Sequence, residues 1–136
     1  MKVNPYPKEE AEQMALATYL DMRGFAWCHI PNEGRFDVAY LAKRKRLGVK
    51  KGFPDNLIFN QVCICENELW TIPVIGMAIE LKRQKGGTAS KEQIDWLDKL
   101  TKYRWIAIVA YGAQDAIKQI EKVYGIKEFY WKGRLL

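Results

Sequence analysis

The sequence predicts an α/β domain, a mixed β-sheet flanked by α-helices. Three observations carry this. Segment 74–82, VIGMAIELK, is apolar at successive positions with no alternation, as in a central strand covered on both faces. Two amphipathic helical patterns, 90–102 and 113–124, bracket a second apolar run at 105–111, the rhythm of a layered strand and helix fold. A helical pattern near the N-terminus is followed by short β-rich runs punctuated by Gly, Pro and Asn. With 136 residues, 49% of them hydrophobic, the chain can bury one core, so a single domain over 1–136 is expected.

The first helix is expected from Lys8 to Arg23. Pro7 suits its entry, Glu9, Glu10 and Glu12 suit its positive end, and Gly24 suits its exit. Gln13, Leu16, Ala17 and Leu20 share one stripe of it. Phe25–Ile30 reads as a short strand stopped by the turn Pro31-Asn32-Glu33-Gly34. Asp37–Leu47 reads as a short helix with Val38, Tyr40 and Leu41 inward. Asn56–Phe59 and Gln61–Cys65 read as strands, Glu66-Asn67-Glu68 as a turn, and Val74–Lys82 as the longest strand. Ser90 opens a helix to Lys102 with Ile94, Leu97 and Leu100 inward. Trp105–Tyr111 is a strand, and Ala113–Tyr124 a helix with Ile117, Ile120 and Val123 inward, closed by Gly125. Residues 126–136 are expected to add an edge strand. Trp96, Tyr103 and Trp105 are expected in the core.

No apolar run reaches the length of a membrane span, and the first residues lack the apolar stretch of a secretory signal, so a cytoplasmic protein is expected. Cys28, Cys63 and Cys65 lack the CxxC spacing of a zinc site and His29 is the only histidine, so buried reduced thiols are expected and no zinc. Twenty-two Lys and Arg against sixteen Asp and Glu give a net charge of +6, which favours a polyanionic partner. Six of these cations, Lys43, Arg44, Lys45, Arg46, Lys50 and Lys51, fall within nine residues. A solvated helix face is the plain reading of such a run, and its place immediately before Pro54-Asp55 favours a phosphate track. Arg83 and Lys85, beside Gly86-Gly87, could clamp a backbone from the other side.

Three charged residues interrupt otherwise buried runs. Glu80 and Lys82 lie two apart on the long strand, roughly 6–7 Å from each other along one face, with Leu81 turned to the opposite layer. A salt bridge at the strand's mouth accounts for that spacing alone. Asp55, fixed by Pro54 at the head of Asn56–Phe59, adds a second carboxylate if the two strands pair. Two convergent carboxylates can hold Mg²⁺, which keeps several waters of its own. Such an ion polarises a phosphodiester and acidifies a bound water, which Lys82 can orient.

The ordered set GFPDNLIF, AIELK and SKEQIDWL, with HIPNEGR upstream of the basic stretch, resembles the virus-type replication-repair nuclease (VRR-NUC) family of PD-(D/E)xK nucleases. The likeness covers residues 9 to about 111. It implies a restriction-endonuclease-like core and a metal-dependent DNA endonuclease. Asp55, Glu80 and the Leu81 backbone carbonyl would ligate Mg²⁺, with Mn²⁺ able to substitute, and Lys82 would activate water. Gln93 matches the family's glutamine; it also completes a capping box with Ser90, so it caps its helix with or without a catalytic part. Related nucleases place a glutamate on the first helix facing the metal. Here the corresponding position is Gln13; Glu9, one turn earlier on the same stripe, could reach in instead, and Glu12 is adjacent, while all three first-turn acids also suit the helix dipole. By the same resemblance the protein is a phage-type homodimer acting on branched or junction DNA in replication or recombination. A non-catalytic DNA-binding module with the same fold is the alternative.

Overall fold

A computed structural model of the chain describes residues 3–31, 36–67 and 70–125. Their order is α1 (Glu9–Met22), β1 (Trp27–His29), α2 (Val38–Arg46), β2 (Asn56–Ile58), β3 (Val62–Asn67), β4 (Trp70–Val74), β5 (Gly76–Lys82), α3 (Lys91–Lys102), β6 (Trp105–Tyr111) and α4 (Ala113–Tyr124). The expected tail strand at 126–136 and most of the turn after Pro31 lie outside the described residues.

Four strands form one mixed sheet in the order β1-β2-β5-β6, antiparallel except for the parallel β5–β6 pair that α3 connects. All seven residues of β5 are buried, as its uninterrupted apolar pattern requires of a strand with layers on both faces. Met77, Ile79 and Leu81 meet Leu16 and Leu20 of α1 and Ala116 and Ile120 of α4 in the main core. The alternate positions Ala78, Glu80 and Lys82 face the other way, where α3 packs against β5 and β6. Among the described residues no helix is long and apolar enough to cross a membrane.

Several expectations need correction. The long strand does not start at Val74. Val74 closes β4, which pairs only with β3 in a separate two-stranded hairpin, and β5 begins after a break at Ile75. Gly76 explains the break: a Cβ there would collide with the Ile58 carbonyl oxygen and lie 2.7 Å from the Trp105 ring. The chain can enter the sheet only where a residue has no side chain. β3 runs on through Glu66 and Asn67, expected as turn: Asn67 pairs with Trp70 of β4, and the register shifts at Glu66 between Cys65 and Asn67.

Val38, Tyr40 and Leu41 point outward, not inward, and α2 buries nothing, because among the described residues no layer lies against its apolar side. Ile94 and Tyr103 are likewise exposed, while Trp96 and Trp105 are only half-buried. Cys28 is exposed, contrary to the expected buried thiol, because it sits on an edge strand; the side chains of Cys63 and Cys65 lie outside the description. Leu97, Ile117, Ile120 and Val123 point inward as their spacing requires.

Candidate active site at the mouth of two paired strands

β2 and β5 pair with Asn56 opposite Ile79. Continuing that register by one residue sets Asp55 across from Glu80, the placement in which side chains on neighbouring strands meet on one face. Both acids are buried, Asp55 6% exposed and Glu80 0%, and Lys82 is 8% exposed. Sequence spacing alone left their convergence conditional on this pairing.

Asp55 is held at both ends. Its Oδ2 accepts the Leu81 backbone N–H at 3.0 Å. Its carbonyl accepts the Ile30 N–H at 2.6 Å and the His29 Nδ1–H at 2.9 Å. A carbonyl only accepts, so Nδ1 carries the proton. His29 is thus a strand-end residue that steadies Asp55. The next residue, Asn56, is fully buried and exchanges two hydrogen bonds with Gln13 of α1, at 2.8 and 2.9 Å. Gln13 is therefore engaged with β2.

Glu80 is held through one oxygen. Its Oε1 accepts Gln93 Nε2 at 2.6 Å and lies 3.3 Å from Lys82 Nζ. Gln93 does this from the start of α3 while its Oε1 accepts the Ser90 N–H at 2.7 Å and its own N–H donates to Ser90 Oγ at 3.2 Å. The capping box and the contact with Glu80 coexist, because the helix begins beside the carboxylate. Glu80 Oε2 is buried without a hydrogen-bond partner.

Burial, then the facing charge of Asp55, push the Glu80 carboxyl up to about 8; Lys82 only partly offsets them. Between the ordinary value of 4.5 and about 8, the folded chain keeps a proton that the unfolded chain has lost. Raising the pH through this window therefore weakens the fold, and above it the penalty is constant. The difference in melting temperature between Glu80→Gln and the wild type, measured in EDTA at pH 5 and pH 8, is expected to widen in favour of the variant at pH 8. A difference independent of pH would show that Glu80 is ionised throughout.

Of the acids on the first helix, the structure turns Glu12 inward rather than Glu9. Glu9 is only half-buried, whereas Glu12 is 6% exposed with Oε2 lacking a hydrogen-bond partner. It lies against Gly112, where an added Cβ would come within 2.5 Å of that oxygen. The missed signal was that Glu12 stands four residues before Leu16 on the buried stripe. Among the described residues no cluster of three His, Cys, Asp or Glu forms, so neither Glu9 nor Glu12 joins Asp55 and Glu80 in a closed set.

The cations divide into two groups. Lys43, Lys45, Arg46 and Lys50 are exposed, on or just after α2, and Arg44 is half-buried over the Phe36 ring. Lys51 pairs with Glu92 at 3.6 Å. Arg83 is occupied differently: Nε donates to the Pro7 carbonyl at 3.0 Å and Nη2 to that of Tyr6 at 2.6 Å, tying the N-terminal segment to the strand's exit. Lys85 Nζ lies 5.8 Å from the centre of the Tyr6 ring.

A family model described as the VRR-NUC domain matches residues 7–114. A solved structure titled "VRR_NUC domain protein" superposes with a TM-score of 0.68 at 24% identity, covering 92% of each chain. That likeness shows the fold. No curated protein gives a significant match.

Proposed function

The chain belongs to the VRR-NUC domain family, and from that premise we propose that it is a Mg²⁺-dependent endodeoxyribonuclease whose active site is Asp55, Glu80, Lys82 and Gln93. The family carries the coarser reading, a phosphodiester-hydrolysing nuclease of the PD-(D/E)xK type. The single observation that best supports the finer one is the buried carboxylate pair at adjoining strand mouths. Glu80 Oε2 has no partner and its carboxyl is pushed up by burial and then by Asp55, so a divalent cation is the charge the pair lacks. Asp55 and Glu80 would hold it, with the Leu81 carbonyl as a further ligand. Mg²⁺ suits an open site with few carboxylates, and Mn²⁺ can replace it. When bound, the ion supplies Lewis-acid polarisation of the phosphodiester and an acidified water.

The chain's own residues do the rest. Gln93 and Lys82 both engage Glu80 Oε1, which orients the carboxylate and leaves Oε2 for the cation. The Lys82 ammonium, held at 3.3 Å from Glu80, aligns the attacking water and offsets negative charge developing on the phosphate. No first-helix acid enters this reading: Glu12 is the buried one, and among the described residues neither it nor Glu9 clusters with Asp55 and Glu80. Lys43, Arg44, Lys45, Arg46, Lys50 and Lys51 form the phosphate track, with Lys85 a lesser contributor and Arg83 already engaged. The homodimer, the branched-DNA preference and a phage replication or recombination role in a bacterial cytoplasm rest on the family likeness.

The test is incubation with duplex, flap, splayed and four-way DNA in Mg²⁺, Mn²⁺ or EDTA. Cleavage is expected with either metal and none in EDTA, greatest on the branched forms. Lys82→Ala is expected to lose turnover by at least about 100-fold while its calorimetric Mn²⁺ affinity stays within tenfold. Loss of Mn²⁺ binding would assign Lys82 to holding the site together. No cleavage of any DNA with either metal would leave a binding module.

A further inference from the structure

α1, α3 and α4 each bury side chains, and α2 buries none. A nine-residue helix is too short to be stable in water by itself. Asp37 caps it by accepting the Tyr40 N–H at 2.7 Å, and Lys43 to Arg46 complement the dipole in its last turn. These supports are local. They leave Tyr40 47% exposed on the helix that carries the densest positive charge in the chain, and Phe36, just before its cap, 37% exposed.

Phe36, Tyr40 and Arg44 are spaced four apart and form one stripe. The two rings lie 5.0 Å apart at 50°, and the Arg44 guanidinium carbon sits 4.4 Å from the Phe36 ring centre. Aromatic faces beside exposed cations are what a strand with unstacked bases requires: phosphates meet Lys and Arg, and bases stack in a sequence-tolerant way. A base within a duplex has both faces covered by its neighbours, so only an unpaired one can take up such a surface. A second copy of the chain brings the same net charge of +6 to this basic helix, which disfavours it as the occupant.

We propose that the Phe36–Tyr40–Arg44 stripe is a stacking site for an unpaired nucleobase, flanked by phosphate contacts from Lys43, Lys45 and Arg46. It rests on DNA as the substrate and deepens that reading: α2 would give the nuclease its preference for forks and junctions, by holding a base that has left the duplex.

The experiment is fluorescence anisotropy in EDTA, with a labelled fork carrying two unpaired thymine arms and a blunt duplex of the same stem. Wild type is expected to favour the fork by on the order of tenfold, the scale of one base stacked on an aromatic ring. Tyr40→Ala should bring fork affinity down to the duplex level and leave duplex affinity unchanged, and Tyr40→Phe should retain the preference. The exposed ring leaves no cavity on removal, and circular dichroism checks that the fold persists. Lys43→Gln with Lys45→Gln should weaken both substrates alike and flatten the salt dependence by roughly 0.9 per lost phosphate contact. A fork preference that survives Tyr40→Ala, or equal wild-type affinity for the two substrates, overturns the stacking site while leaving DNA as the substrate. So does Tyr40→Ala converting a dimer into a monomer in sedimentation with the preference intact, which would make the stripe a contact between copies. Because binding is read without metal, a chain that never cuts DNA would overturn the nuclease assignment and leave this result standing.

Discussion

Asp55→Asn and Glu80→Gln are each expected to lower Mg²⁺-dependent cleavage by more than about 100-fold, the upper end of what losing even a group behind a metal ligand costs. The two variants should separate in stability. Asn at 55 keeps an oxygen that can accept the Leu81 N–H now bonded to Oδ2, so that change should be close to neutral. Gln at 80 removes a carboxylate that is fully buried, faces Asp55 and has an unpartnered oxygen. It can still accept from Gln93 and Lys82 through its amide oxygen. Removing such a group should relieve roughly 1–3 kcal/mol, raising the melting point of the metal-free protein by roughly 3–10 °C. An inactive enzyme that melts higher than its parent is the signature of a site that gives up stability to bind a cation. Wild-type rates in either variant, with metal present, would remove the pair from the active site. A Glu80→Gln protein that melts lower would mean that Lys82 holds an ionised Glu80 in net favourable contact.

Gly52→Ala is expected to cost roughly 2–5 kcal/mol. Gly52 has φ +83, and an added Cβ would lie 2.6 Å from the Glu92 carbonyl carbon, 2.7 Å from its Cβ and 2.8 Å from the Gln93 nitrogen. Backbone on the first turn of α3 cannot swing aside. Gly52 is pressed there because Lys51 pairs with Glu92 and Phe53 packs edge-on against Trp96 at 5.1 Å. One docking thus fixes the strand carrying Asp55 and the helix end carrying Gln93. Gly48→Ala is the control: its φ is +95 but none of the described residues lies within 4 Å, so it should lose only the roughly 1–2 kcal/mol of left-handed strain. Denaturant midpoints measure both. Equal losses would show that the contact with α3 yields without penalty, and cleavage by Gly52→Ala should fall together with its stability if the docking sets the site.

Much of this site was legible in the sequence because its signals are local. Ser90 and Gln93 cap α3 within one turn, Gly125 ends α4 in the left-handed conformation, and Trp105–Tyr111 is a strand with the expected bounds. Glu80 and Lys82 share a face by strand parity alone, and charge at the ends of buried strands marked Asp55 and Glu80 as a candidate pair. Each of these follows from residues within a few positions of one another.

What depends on distant chain was decided by the tertiary structure. The acid that α1 buries is Glu12 and not Glu9, because burial follows from where Gly112 and Gln84 come to lie, 100 and 72 residues further along the chain. Val38, Tyr40 and Leu41 look inward by spacing but point to solvent, since an apolar stripe is buried only if another element offers it a surface. The break at Ile75 was invisible in an unbroken apolar run; it comes from Ile58 and Trp105 closing on Gly76 from two other strands. Local sequence sets what each segment can form and which residues share a face. The partners that segments find across the fold set which faces are covered and which of several acids meets another.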